Sequence, residues 1–181
     1  MTETVYISVD VETSGPDPCK FDLQSIGAVV LDEQLDETFY VEIKPIFGNF
    51  LEGAIEKTKL TPSKLQNIGV EPSVAMKNFE IWIRQVSQNS NPVFLGFGAT
   101  FDWKWIDSYF QRFLGHNPFG INGMDIKSYY AGKFNLNWSD TTKAKIAMRG
   151  IVTNRKHTHN ALDDAIEQAE LFKLIKEKEV Y

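Results

Sequence analysis

Val5-Tyr6-Ile7-Ser8-Val9-Asp10-Val11-Glu12-Thr13-Ser14-Gly15 alternates apolar and polar residues with a period of two. In a strand, that period places Asp10 and Glu12 on one face and the valines on the other. Two carboxylates inside a β-branched strand are a poor way to build a core, because a buried carboxylate is costly unless a positive charge meets it. No Lys or Arg occurs from Thr4 to Pro18. A bound divalent cation resolves the conflict. So does an exposed edge strand with two solvated acids, since Asp and Glu are mostly surface residues. The rest of the chain has to choose between them.

Outward from this strand, turn chemistry at Thr13 to Pro18 leads to a buried strand, Ser25 to Leu31. A polar turn at Asp32 to Asp36 follows, then a third strand, Thr38 to Ile43. This is the pattern of an antiparallel three-strand meander. Thr61-Pro62 is a helix start, with Thr as N-cap and Pro at the first helical position. A second helix begins near Ser73, with Phe79, Trp82 and Ile83 at helical spacing, which makes Trp82 a core residue. Pro92 to Phe97 reads as a short buried strand beside the first. Phe101 to Leu114 reads as a helix, Gly123 to Ile126 as the end of one more strand, and Asn160 to Lys178 as the last helix. The expected class is α/β, a five-stranded mixed sheet flanked by helices. The 181 residues fit one domain, 1–181.

Composition narrows the function. No window approaches the roughly 20 apolar residues of a membrane span, and no basic start or apolar leader segment follows Met1. The lone Cys19 argues against a Cys-rich metal site and fits a reducing cytoplasm. A net charge of −5 argues against coating duplex nucleic acid by bulk electrostatics. Between Ile126 and His157, however, Lys127, Lys133, Lys143, Lys145, Arg149, Arg155 and Lys156 face only Asp140. Such a run is either a solvated face or a phosphate-tracking groove.

Two further acidic stretches bear on the opening strand. In Ala99-Thr100-Phe101-Asp102, the Asp opens a helix, where it complements the helix dipole or joins a site. In His159-Asn160-Ala161-Leu162-Asp163-Asp164-Ala165, placement at about 100° per residue puts Asp163 with Glu167 and Glu170 on a charged stripe. The same placement turns Asp164 toward the apolar arc, with His159 about one turn away. Four carboxylates and a histidine can hold two divalent cations about 4 Å apart, a spacing suited to phosphodiester displacement. The imidazole can take a proton from water.

With these residues in hand, Asp10-Val11-Glu12-Thr13, Ala99 to Asp102 and His159 to Ala165 resemble the three motifs of the DEDDh, DnaQ-like 3′→5′ exonucleases of ribonuclease H-like fold. The resemblance covers nearly the whole chain. It implies that Asp10, Glu12, Asp102 and Asp164 bind two Mg2+ or Mn2+ ions, with His159 as general base. It also implies that Thr13 lies beside the 3′-terminal nucleotide. Expected strand contacts are Thr13, Phe101, Trp103, Lys143 and Lys156, with Trp105, Phe21 and Trp138 as further stacking candidates; for each aromatic a core role is equally open. The expected substrate is a single-stranded nucleic acid. RNA is favoured by analogy to stand-alone members, and a DNA exonuclease of proofreading or repair type is the alternative. A catalytically silent binding module on the same fold is a third reading, and a homodimer stays open. Gly98 and Ser25 depart from residues common in the family, Asn and Glu or Gln. Asp107 and Asp125 are expected to be structural, His116 to lack a partner, and His157 to be solvated or to meet phosphate.

Overall fold

The computed structural model describes residues 4–179. Strands β1 (Thr4–Thr13), β2 (Leu23–Val30) and β3 (Thr38–Glu42) form the expected meander. Strands β4 (Asn91–Gly96) and β5 (Met124–Asp125) add in parallel on the other side of β1, for the order β3-β2-β1-β4-β5. Seven α-helices complete the described chain: α1 (Glu52–Thr58), α2 (Pro62–Ile68), α3 (Pro72–Ser87), α4 (Thr100–Leu114), α5 (Ile126–Phe134), α6 (Lys143–Met148) and α7 (Ala161–Glu177). Helix α1 escapes sequence periodicity because none of its residues is buried. The Thr61 hydroxyl caps α2 by accepting from Lys64 N, as its sequence predicts. The basic stretch resolves into α5, a 3-10 turn at Trp138–Asp140, and α6.

The period of two on β1 divides the molecule into layers. Ile7, Val9 and Val11 point to a core shared with Ala75, Met76, Phe79 and Ile83 of α3 and with Ile106, Tyr109 and Phe110 of α4. Trp82 is partly buried against that core. The other face of the sheet receives α7 and, under its C-terminal half, α5 and α6 through Leu171, Phe172, Ile175, Ile126, Tyr130 and Ile146. Tyr6, Ser8, Asp10 and Glu12 therefore face the layer that contains α7.

Small residues meet where helix α7 packs on the sheet. The Ser8 hydroxyl donates to Ala165 O at 2.8 Å. A Cβ on Gly27 would lie 2.1 Å from the carbonyl carbon of Ala161 and 2.2 Å from Leu162 N. Gly27 pairs with Asp10 across the ladder. The glycine thus lets the first turn of α7 rest on the sheet beside the acids.

Away from that face, Glu80 is buried on α3 and gathers Lys77, Arg84 and His116 at 2.7–2.8 Å. His116 therefore has a partner, contrary to the sequence expectation: its ring bridges Leu114 O and Glu80, tying the turn after α4 to α3. Hydrogen bonding from Lys77 leads the interactions that overcome burial and hold the Glu80 carboxyl down at about 2.

Two outcomes follow. Gly27→Val should lower the urea midpoint, with a loss of about 3 kcal/mol or more because overpacking here meets backbone rather than a side chain that can turn away. A midpoint within error of the parent would remove the close-approach argument. Glu80 has a folded-state value below its unfolded one, so its contribution is complete above about pH 4.5 and declines as pH falls toward 2. Denaturation midpoints between pH 5 and 3 should fall more steeply for the parent than for Glu80→Gln.

Candidate active site

Three elements deliver the four carboxylates. Strand β1 contributes Asp10 and Glu12 just before a register shift that ends its regular pairing with β2. Helix α4 contributes Asp102 from its first turn. Its Oδ1 accepts from Val11 N at 3.2 Å, so this carboxylate is pinned to the strand that carries the other two. Asp102 thus lies at a helix N-terminus and close enough to Asp10 to repel it, but outside the convergent set of Asp10, Glu12 and Asp164. Helix α7 contributes Asp164, which is fully buried. Donor oxygens of Asp10, Glu12 and Asp164 all lie within 4.8 Å of one another.

The electrostatics match acids that lack sufficient counter-charge. Burial and then repulsion from Asp102, Glu12 and Asp164 hold Asp10 well above the usual carboxylate range, with Lys143 pulling the other way. Burial, followed by Asp164 and Asp102, pushes Glu12 up to about 7, against the pull of Lys57. Burial pushes Asp102 up to about 7 despite hydrogen bonds from the backbone N–H groups of Val11 and Asp102 itself. A convergent set of hard oxygen donors suits a divalent cation, whose charge would replace the protons on Asp10 and Glu12.

Asp164 is stabilised by the loop before α7. Thr158 N donates to its Oδ1 at 2.8 Å and His159 N to its Oδ2 at 2.9 Å. His159 adopts φ +58°, the left-handed conformation that folds the loop back onto the helix start. The Asn160 side chain then caps α7 by accepting from Leu162 N and Asp163 N. Asp163 is exposed, as its position on the outer stripe predicts.

His159 lines a cleft of about 430 Å³ together with Glu12, Thr13, Gly15, Leu51, Lys57 and Phe101. Of the expected substrate contacts, Thr13 and Phe101 are on this wall. The Thr13 hydroxyl donates to Gly15 O at 2.9 Å, and Phe101 is 40% exposed. Trp103 is turned away and packs edge-to-face on Phe94, with ring centroids 5.3 Å apart. Trp105 is fully buried, and Phe21 is partly buried beneath Gly15, so these aromatics serve packing. Trp138 stays 58% exposed, with the Lys127 ammonium 4.3 Å from its ring centroid. Lys143 pairs with Glu167 at 2.5 Å, and Lys156 is exposed on the loop before α7.

Three further residues belong to the site's surroundings. Gln168 bridges two of its walls: Nε2 donates to Asp10 Oδ1, and Oε1 accepts from Phe97 N at 2.7 Å. It stands four residues after Asp164, hence on the same helical face, which is the sequence signal for it. Glu167, which shares the charged stripe with Asp163, is buried with Lys143. His157 is not simply solvated either: its Nδ1 lies 2.9 Å from Asp164 Oδ2. Desolvation holds its proton affinity down, against the pull of Asp164. Asp125 and Asp107 are structural, as expected. Asp125 accepts from Ala99 N and Ser128 N, each at 2.7 Å. Asp107 accepts from Asn117 Nδ2 at 3.0 Å. Ser25 is buried opposite Glu12 in the ladder. Gly98 has φ +79°, a conformation open to Gly and, less freely, to Asn.

The family described as the 3′-5′ exoribonuclease Rv2179c-like domain matches residues 5–176. The 3′-5′ DNA exonuclease Cap18 of Escherichia coli is 44% identical over 172 residues, covering 94% of this chain and 91% of its own. Among solved structures, the nuclease domain of 3′hExo, a DEDDh family member bound to rAMP, superposes with a TM-score of 0.79 at 17% identity. That match covers 95% of this chain and 92% of the other. E. coli Exonuclease I in complex with a dT13 oligonucleotide gives a TM-score of 0.72 at 17% identity, over 97% of this chain and 41% of that one. The chain belongs to the 3′-5′ exoribonuclease Rv2179c-like family and shares the fold of the 3′hExo nuclease domain.

Proposed function

We propose that this chain removes nucleoside 5′-monophosphates one at a time from single-stranded 3′ ends, using divalent cations held by Asp10, Glu12, Asp102 and Asp164. The observation that carries the reading is the convergence of Asp10, Glu12 and Asp164 oxygens within 4.8 Å, beside a cleft that Glu12 and His159 line. Two Mg2+ or Mn2+ ions bound to these oxygens would polarise the scissile phosphate and balance charge on the attacking and departing oxygens. The chain's own groups do the rest. His159, partly exposed on the cleft wall, takes the proton from the attacking water. Gln168 holds one oxygen of Asp10, which fixes the rotation of that carboxylate. Thr13, Gly15, Leu51 and Phe101 form the part of the wall that receives the terminal nucleoside, and Lys57 adds positive charge to it. Lys127 and Trp138 offer a charge and a stacking face for the strand behind it.

The sugar class has two readings, each with its own support. RNA is favoured by the description of the matching family. DNA is favoured by the Cap18 relative at 44% identity, which is named a DNA exonuclease. The two differ chemically only by a contact to the 2′-hydroxyl.

With 5′-labelled single-stranded RNA and DNA of equal length, we expect a ladder shortening from the 3′ end that chelator abolishes. Relative rates on the two strands decide the sugar class. Asp10→Ala should be inactive, and products lacking a 5′-phosphate would overturn the chemistry. His159→Ala should keep cation binding and lose about 10²–10⁴-fold in rate, the usual worth of a general base.

A stability measurement gives an independent check. Glu12 and Asp102 have folded-state values near 7, above their unfolded ones, so the cation-free protein loses stability as pH rises from about 4 through 7. At pH 8 in chelator, Asp102→Asn should therefore melt higher than the parent. Adding Mn2+ should raise the parent's melting temperature more than the variant's.

A further inference from the structure

We propose that His157, His159 and Asp164 form a second site, overlapping the carboxylate site at Asp164, for an imidazole-seeking transition-metal cation such as Zn2+, and that a cation held there switches the nuclease off. One ligand atom from each residue lies within 4.8 Å of the other two. His157 Nδ1 is 2.9 Å from Asp164 Oδ2, and the two imidazole centroids are 4.5 Å apart with their planes at 73°. Zn2+ with bonds of about 2.0–2.1 Å in tetrahedral geometry needs donors about 3.4 Å apart, a spacing these groups bracket. Small ring rotations bring them to it. The site is open to solvent, since the His157 side chain is 46% exposed, and a water can fill a fourth position.

The donor set separates this site from the carboxylate site next to it. Asp10, Glu12 and Asp164 offer only oxygen, which suits Mg2+ and Mn2+. Two imidazoles with one carboxylate favour Zn2+, and divalent affinity for nitrogen ligands rises steeply from Mn2+ toward Cu2+ and Zn2+. The backbone supports the arrangement. The N–H groups of Thr158 and His159 fix Asp164, so the carboxylate is already held where the two rings converge on it. Asp164 belongs to both sets. A cation on the His pair therefore withdraws one oxygen ligand from the nuclease centre and ties up the His159 ring. The binding stands on geometry alone; the switching rests on the function proposed above.

Calorimetric titrations of the intact protein with ZnCl2 and with MgCl2 separate the two sites. His157→Gln should weaken Zn2+ binding by about tenfold or more and leave Mg2+ affinity within about twofold. Asp10→Asn should weaken Mg2+ binding and leave Zn2+ affinity within about twofold. Zn2+ should shift the ring resonances of both His157 and His159 in the NMR spectrum of the parent. Zn2+ affinity unchanged in His157→Gln, or a His157 ring that does not respond, would overturn the site. The switch is then read as Zn2+ inhibition of Mg2+-supported strand shortening, each variant scaled to its own zinc-free rate. Half-inhibition should move to about tenfold more Zn2+ in His157→Gln, in step with the lost affinity. Zinc bound as described without inhibition of an active parent would overturn the switch. A parent inactive on every strand would overturn the proposed function, while the titrations still decide the zinc site.

Discussion

Carboxylates crowded around the end of β1 with too little positive charge among them are the condition that the surrounding structure has to satisfy. Asp10 feels burial first and then three other acids, and Glu12 and Asp102 are both held near 7. Left to relax, such a group would splay apart or stay protonated. Splaying is not free to happen here, so without a cation the acids keep their protons to higher pH. Asp102 is pinned through Val11 N, Asp10 through Gln168, and Asp164 through two backbone N–H groups. The repulsion is therefore stored in the folded state, where it favours whatever cation enters. This is the ordinary trade between stability and site function.

The positions that make the crowding possible carry no charge. Gly27 and Ser8 let the backbone of α7 lie against β2 and β1, which brings Asp164 level with Asp10. The apolar side of the same strand makes this tolerable. Ile7, Val9 and Val11 are locked between the sheet and helices α3 and α4, so β1 cannot rotate its acids away from each other without exposing a core. One strand thus serves two layers, and its period of two keeps the two tasks apart.

This division explains what could be read from residues alone. The meander, the strand beside β1, and the placement of Asp102 and Asp164 follow from periodicity and caps, which are local. What escaped is pairwise. The stripe of Asp163, Glu167 and Glu170 looks uniformly solvated on a helical projection, yet Glu167 is buried because Lys143 arrives from α6. Gln168 shares a helical face with Asp164, but its role shows only once Asp10 and Phe97 N appear on either side of it. Trp103 and Trp105 resemble stacking platforms, but α4 turns both into the protein.

The basic stretch is the sharpest instance, because there the local charge count misleads about what is free. Lys133 spends its ammonium on the carbonyls of Ile175 and Lys176 at the end of α7. Lys145 pairs with Asp140, Arg155 with Glu170, and Lys143 with Glu167. A groove whose cations are already engaged in holding α5, α6 and α7 together cannot bind a polyanion through bulk charge. What the stretch leaves for a strand is narrower: Lys127 against the exposed Trp138 ring, Arg149 over the Phe134 ring, and Lys156 on the loop that leads to His159. Under the function proposed above, recognition rests on stacking, on the shape of the cleft, and on the cations that the acids would recruit. That reading suits an acidic protein, because the positive charge that meets the phosphate would arrive with the metal.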